Sequence, residues 1–383
     1  MQFRDLPKQY EVLKSQIDAK MMSVAASAHF ISGPEVKELE KALAEYVGVK
    51  HCITCANGTD AITIAMRAWG VRKGDAVFVP DFTFFSSGEC PADEGATPIY
   101  VDVDERTYNI DPTKLEEAIQ KVIAEGKYKA KAVVAVDLFG LPADYPAIKE
   151  ICEKYDLLLL EDGAQGFGGN IDGKLACSFG DISTTSFFPA KPLGCYGDGG
   201  AIFTDNDEWA DLIRSICVHG KDTSNPNDPN AKYNNIRIGK NSRLDTIQAA
   251  ILLPKFKAFV DYELADVNKV AGWYTEGLKD TSLVLPEMKE GYFSSWAQYT
   301  IQLPDGVDRK KVQVKLKAAG IPSMVYYAKP MHLQGAFAGT DSANTECPVT
   351  EKLCATVLSL PLDPYKTKED VDLVVSELKK AII

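Results

Sequence analysis

Residues 157–204 read LLLLEDGAQGFGGNIDGKLACSFGDISTTSFFPAKPLGCYGDGGAIFT. Leu157–Glu161 is an apolar run that ends on carboxylates, and it predicts a strand. Ser183–Phe188 and Ala201–Thr204 predict two further strands, separated by a turn rich in Gly and Pro. Moving outward, His51–Cys55, Ala76–Pro80, Pro98–Val103 and Ala132–Leu138 have the same strand character. Between them, Thr59–Trp69, Asp111–Glu125 and Tyr145–Tyr155 carry apolar residues at helical spacing. This alternation, from Val47 to about Thr204, predicts an α/β domain built on a mainly parallel sheet. Lys221–Asn235 is polar and rich in Asn and Pro, and reads as a surface loop. Helical patterns follow at Asn241–Phe259 and Tyr262–Lys279. Trp296–Gln302, Arg309–Ala319, Val357–Leu360 and Lys368–Ala381 then form a second α/β pattern. The expected division is a large domain over residues 1–260 and a small C-terminal domain over 261–383.

Composition excludes several classes. The chain has 383 residues, 45% hydrophobic and 25% charged, and those proportions rule out disorder, collagen-like repeats and coiled coil. Lys and Arg number 42 against 54 Asp and Glu, so the formal charge is 42 − 54 = −12. That surplus repels a phosphate backbone, and no basic run offsets it, which argues against nucleic-acid binding. The N-terminal MQFRDLPKQYEVLKSQ lacks a signal-peptide layout, and no apolar run approaches the ~18 residues of a membrane span. Nine scattered cysteines fit reduced thiols in a cytoplasmic protein. Cys52 and Cys55 have the spacing of half a metal site, but no second pair completes it, and they read as packing thiols in a strand. No metal is expected.

Five features carry chemistry. Asn57-Gly58-Thr59-Asp60 lies between a strand and a helix, where free N–H groups and the helix dipole suit a phosphate; alone such a sequence is usually an N-cap turn. Phe82-Thr83-Phe84-Phe85 places aromatics after a strand, to stack on a flat ring or to fill the core. Glu161-Asp162-Gly163-Ala164-Gln165 puts a carboxylate where open α/β sheets bind ligands. Lys191 stands alone between an apolar strand and a Gly-rich turn, with the Ser186 hydroxyl five residues earlier. Partial burial there makes an amine able to form a Schiff base. Arg243, near a helix start, suits an anionic group, or else pairs with Asp245. One cofactor uses all of these at once. Pyridoxal 5′-phosphate needs a phosphate cup, a stacking face, a carboxylate for its pyridine nitrogen and a displaceable lysine. A nicotinamide fold is disfavoured, because ITCANGTDAI has a single glycine where G-x-G-x-x-G is required.

The motifs SFFPAKPLGCYGDGGAIFT, EDGAQGFGG, CANGTDAI and NSRLDTIQAAIL resemble the DegT/StrS family of nucleotide-sugar aminotransferases. The resemblance runs from GPEVKELE at 33–40 to LPLDPY at 360–365. It implies the aspartate aminotransferase fold (fold type I), with a seven-stranded sheet and a small C-terminal domain. Lys191 would hold the cofactor, Asp162 would protonate its ring, Gln165 would contact the 3′-oxygen, and Ala164 and Phe84 would cover the two ring faces. Gly58, Thr59 and Ser186 would bind the phosphate. Asn241 would reach the phosphate of the other subunit's cofactor, making a homodimer with shared active sites. Arg243, Tyr326, Tyr327 and His332 would surround the sugar. The implied reaction moves the amino group of L-glutamate to a UDP-linked keto-sugar, best 2-acetamido-2-deoxy-3-oxo-glucuronate, for surface polysaccharide. The alternatives are a 4-keto UDP- or dTDP-sugar, or a noncatalytic pyridoxal-phosphate-binding regulator. The chain departs from the family at Gly163 and Gly166, both expected to be harmless. Tyr326 stands where the 3-oxo-glucuronate enzymes carry His.

Overall fold

A computed structural model describes residues 1–223 and 233–382. The polar segment 221–235 therefore falls largely outside the described residues. The main sheet has seven strands: β1 (His51–Cys55), β2 (Asp75–Pro80), β3 (Thr97–Val101), β4 (Lys129–Val136), β5 (Leu158–Asp162), β6 (Ile182–Ser186) and β7 (Gly200–Thr204). Their spatial order is β1-β7-β6-β5-β4-β2-β3. Six strands run parallel and β7 opposes both its neighbours. β7 is reversed because only the loop 187–199 joins it to β6, too short for a parallel crossover with a helix.

Burial on both faces explains the apolar runs. Val77 and Val79 of β2 point into one core with Val134, Val136 and Leu160. Ala76 and Phe78 point into the opposite core with Val133, Ala135 and Leu159. Twelve α-helices are described. In the large lobe they are α1 (Leu6–Ser27), α2 (Pro34–Val47), α3 (Gly58–Ala68), α4 (Ser86–Asp93), α5 (Pro112–Glu125), α6 (Tyr145–Tyr155), α7 (Asp207–Cys217) and α8 (Thr246–Ala258). α3 and α7 cover the first face and α5 and α6 the second. α2 and α8 close over Cys52 and Phe203 at the β1–β7 edge.

The helix expected from Asn241 starts at Thr246. Asn241 instead bridges Val218, and Asp245 is the extended N-cap residue. The two helical patterns at 241–259 and 262–279 form one continuous run, because a π-helical turn at Phe259–Glu263 joins α8 to α9 (Leu264–Leu278). The C-terminal part continues with β8 (Tyr299–Gln302), α10 (Arg309–Ala318), α11 (Pro348–Thr356), β9 (Val357–Leu360) and α12 (Lys368–Ala381). β8 and β9 pair antiparallel, and with α9, α10 and α12 they enclose a separate core around Tyr274, Tyr299 and Leu316. Met331, Phe337 and Leu353 return to the large core. All nine cysteines are buried and unpaired. No helix among the described residues is long and apolar enough to cross a membrane.

Candidate active site

The C-terminal ends of the parallel strands open onto a cavity of about 670 Å³. Ligand sites gather at this edge because the loops there diverge to opposite faces of the sheet. Its wall carries Gly58, Thr59, Phe84, Asp162, Ala164, Gln165, Ser186, Lys191, Tyr326 and Tyr327, ten of the residues singled out from the sequence.

One end of the cavity is a cup of donors. Asn57 caps α3, its side-chain oxygen accepting from Asp60 N at 2.7 Å. That bond uses the Asp60 N–H, and the N–H groups of Gly58 and Thr59 remain for a ligand. The Thr59 hydroxyl lies 2.8 Å from that of Ser86. Gly58 approaches β6 so closely that a Cβ there would stand 2.7 Å from Ser186 Cβ. Only glycine lets the helix start meet the Ser186 hydroxyl.

At the floor, Asp162 ends β5, almost fully buried. One of its oxygens accepts from Ser87 Oγ at 2.8 Å and the other from Ala164 N at 3.2 Å. Burial pushes its carboxyl above the usual range, while the Ser87 bond and the charge of Lys191 pull it back. Lys191 sits on the loop between β6 and β7, its N–H bonded to the Phe188 carbonyl at 2.8 Å. Burial lowers its ammonium pKa, and Asp162 opposes that. The cavity thus holds a carboxylate that favours a facing cation and an amine brought toward its nucleophilic form.

Gln165 is oriented from both sides. Its Oε1 accepts from Phe139 N at 3.0 Å, and its Nε2 donates to Tyr327 Oη at 3.2 Å. Phe84 is half exposed at the rim, its ring centroid 6.4 Å from that of Tyr327. Phe82, from the same motif, is core.

Three expected residues stand elsewhere. Asn241 is exposed, Arg243 half-buried, and neither lines the cavity of its own chain; Arg243 Nη2 donates to Asn241 Oδ1 at 2.5 Å. His332 does not line the entrance. It is 4% exposed and its Nδ1 lies 2.6 Å from Asp81 Oδ2. Sequence reasoning missed Ser86 and Ser87, which directly follow the quoted aromatic motif and supply hydroxyls to the cup and to Asp162. It also missed Gln298, and from KPMHLQ at 329–334 it singled out His332, whereas Lys329, Met331 and Gln334 are the residues of that stretch that line the cavity.

The donor set fits pyridoxal phosphate: a hydroxyl-lined helix N-terminus for the phosphate, a buried carboxylate for the ring nitrogen, and one amine. Residues 11–379 match the model of the DegT/DnrJ/EryC1/StrS aminotransferase family. The chain is 44% identical over 378 residues to the UDP-2-acetamido-2-deoxy-3-oxo-D-glucuronate aminotransferase of Pseudomonas aeruginosa, covering 99% of each. A crystal structure of a DegT/DnrJ/EryC1/StrS aminotransferase from Brucella abortus superposes with a TM-score of 0.94 at 45% identity, over 99% of both chains. NtdA of Bacillus subtilis, crystallised with its cofactor PMP, superposes with a TM-score of 0.85 at 32% identity, over 96% of this chain and 81% of that one. The chain belongs to the DegT/DnrJ/EryC1/StrS family and is a pyridoxal-phosphate-dependent aminotransferase.

Proposed function

We propose that this member of the family transfers the amino group of L-glutamate to C3 of UDP-2-acetamido-2-deoxy-3-oxo-glucuronate in surface polysaccharide synthesis. The observation that carries the reading is the placement of Lys191 and Asp162 around one cavity whose far end is a hydroxyl-lined helix start. The near-complete relationship to an enzyme named for that sugar supports the substrate.

When bound, pyridoxal phosphate supplies an electron sink for the charge that develops at the Cα of the amino donor. Asp162 holds a proton at the ring nitrogen, and Ser87 keeps its carboxylate in place. Gln165, held by Phe139 N and Tyr327, orients the ring from its 3′-oxygen. Gly58, Thr59 and Ser186, together with the Ser86 hydroxyl, bind the phosphate. Lys191 acts as the base that takes the Cα proton and delivers it to C4′, for which a depressed pKa is suited. In the second half of the cycle it moves the proton back, and the sugar leaves aminated.

Asn241 and Arg243 act on the neighbouring subunit. Both lie outside the cavity of their own chain, and apolar side chains that a lone chain leaves exposed, Phe30, Ile31 and Phe188, support a second copy docking. The protein is therefore a homodimer with shared sites, and it works in the cytoplasm. Mixing Lys191→Ala with Arg243→Ala protomers tests this. Each variant alone is expected to be inactive or severely impaired, and re-formed heterodimers regain activity through one intact site. No recovery, with mixed dimers demonstrated by mass, refutes the sharing.

The substrate is tested by offering the pyridoxamine form a panel of UDP- and dTDP-keto-sugars and following the return of visible absorbance. A response to the 3-oxo-glucuronate sugar is expected. A response confined to 4-keto sugars moves the reaction to another carbon. No response to any of them, with cofactor bound, rejects every sugar in the panel as substrate.

A further inference from the structure

The cavity wall formed by residues 329–334 has no helix or strand of its own, yet Lys329, Met331 and Gln334 all face the cavity. Among the described residues, its hydrogen bonds to other segments converge on one residue, Asp81, the first after β2. The Asp81 carbonyl accepts from Met331 N at 3.1 Å. Its Oδ1 accepts from His332 N at 2.7 Å, and its Oδ2 meets His332 Nδ1 at 2.6 Å. The Cys347 thiol lies beside the same carboxylate. Asp81 is 1% exposed and His332 4%. On the other side of the ring, Nε2 lies 3.6 Å from an oxygen of Glu351 on α11. Both ring nitrogens thus face carboxylates, and the ring is absent from the cavity surface.

Asp81, His332 and Cys347 are metal-ligand types whose ligating atoms lie within 4.8 Å of one another. The nitrogen–oxygen separation decides between the two chemistries. Two ligands at ~2.0 Å from a tetrahedral ion stand about 3.3 Å apart, whereas 2.6 Å is hydrogen-bond contact. The cluster is a buried hydrogen-bonded knot. In sequence, Asp81 is followed at once by Phe82-Thr83-Phe84, so the residue that bonds the 329–334 segment directly precedes the motif carrying the rim aromatic.

We infer that the Asp81–His332 pair is a latch fixing the 329–334 wall to the end of β2, and that His332 is a positioning residue for nucleotide-sugar binding which never touches the sugar. The choice of ligand rests on the proposed function; the latch itself does not.

The test compares wild type, His332→Ala and His332→Asn by three measurements. Backbone hydrogen exchange at 329–334 reads the latch without ligand. Calorimetry on the cofactor-free protein reads binding of UDP-2-acetamido-2-deoxy-glucuronate, which carries no ketone and cannot react. The rate of the glutamate step in the loaded enzyme reads the rest of the site. His332→Ala is expected to speed exchange at 329–334 at least tenfold, to weaken the sugar at least tenfold, and to leave the glutamate step within threefold. His332→Asn, whose side-chain N–H can reach Asp81 Oδ2, restores exchange and affinity to within threefold. The proposal is overturned if His332→Asn protects the wall yet binds as weakly as His332→Ala, because the ring then contacts the ligand. Equal loss in the glutamate step, or unchanged exchange in His332→Ala, also overturns it. If His332→Ala does not fold, Asp81→Asn takes its place, retaining shape while losing one acceptor. A wild type without cofactor colour or a glutamate step defeats the proposed function, and the exchange comparison still judges the latch.

Discussion

Asp137 shows how far a single side chain can reach. It follows β4 directly, is fully buried, accepts from Tyr145 Oη at 2.7 Å and Ala143 N at 3.2 Å through Oδ1, and leaves Oδ2 without a partner. Its neighbour Glu161 gathers Cys177 N, Phe179 N, Gly180 N and Ser183 Oγ. Burial and the charge of Glu161 hold the Asp137 carboxyl protonated, well above the carboxylate range. Its folded pKa is raised, so above the unfolded value near ~3.9 the unfolded chain releases a proton that the folded one keeps. Stability contributed at this site is present at acid pH and is lost as pH rises from about 4 toward the folded pKa. Asp137→Asn removes the dependence, so its unfolding free energy relative to wild type rises with pH above about 4, by at most ~1.4 kcal/mol per unit. A parallel pair of curves would put the proton elsewhere. This carboxyl and the nearby Cys177 thiol explain one departure each from the family pattern. A Cβ at Gly166 would lie 2.2 Å from Asp137 Oδ2, and one at Gly163 would lie 2.7 Å from Cys177 Sγ. Neither glycine is free to be alanine here, a constraint that the sequence hides because the side chains they meet, Cys177 for Gly163 and Asp137 for Gly166, come from other segments of the chain. Gly166→Ala should cost at least ~1–3 kcal/mol, in part relieved by adding Asp137→Ala; additive losses in thermal unfolding would contradict the contact. At the reacting groups, Lys191→Ala abolishes colour and turnover, and Asp162→Asn keeps weak cofactor binding while turnover falls by orders of magnitude. Absorbance and single-turnover rates check both.

At the scale of elements, the start of α3 does the most with the least sequence. Asn57 closes the helix and Gly58 opens it to Ser186. Asn57→Ala should destabilise by ~0.5–2 kcal/mol. Gly58→Ala forces apart the helix start and β6, and is expected to weaken cofactor affinity more than tenfold, read by equilibrium dialysis, with a smaller change in thermal midpoint. The strands were legible because strands buried on both faces are nearly pure apolar runs. α1 was not, since its buried line is the narrow Gln9, Leu13, Ile17, Val24, one of them polar, amid charged positions. α4 is too short and Pro91 interrupts it. The 241–245 stretch, expected to begin the helix, lies outside it. Its side chains are spent instead on neighbours, Ser242 accepting from Ala56 N at 3.1 Å. Position in the chain carried Lys191 and Asp162, whereas Ser87 and the 329–334 wall acquire meaning only when distant segments meet.

For the whole molecule, the order of strands and the meeting of their ends cannot be read from local pattern. The large lobe is stitched to the C-terminal part by contacts far apart in sequence. Leu362 N donates to the Phe3 carbonyl at 3.0 Å, and Asp5 N to Asp363 Oδ2 at 2.9 Å. Glu263, in the π-helical turn, accepts from Gln9 Nε2 at 2.8 Å and also from Tyr365 Oη. Glu263→Gln should loosen this junction, seen as a lower thermal midpoint without loss of cofactor colour; a bleached variant would tie the junction to the site instead. The nine cysteines, all enclosed, have a practical side. A thiol reagent should titrate almost none of them in the native protein and all nine after denaturation. The folded exterior is therefore silent toward maleimides, and one cysteine introduced at an exposed position becomes a unique attachment point for a dye or a spin label.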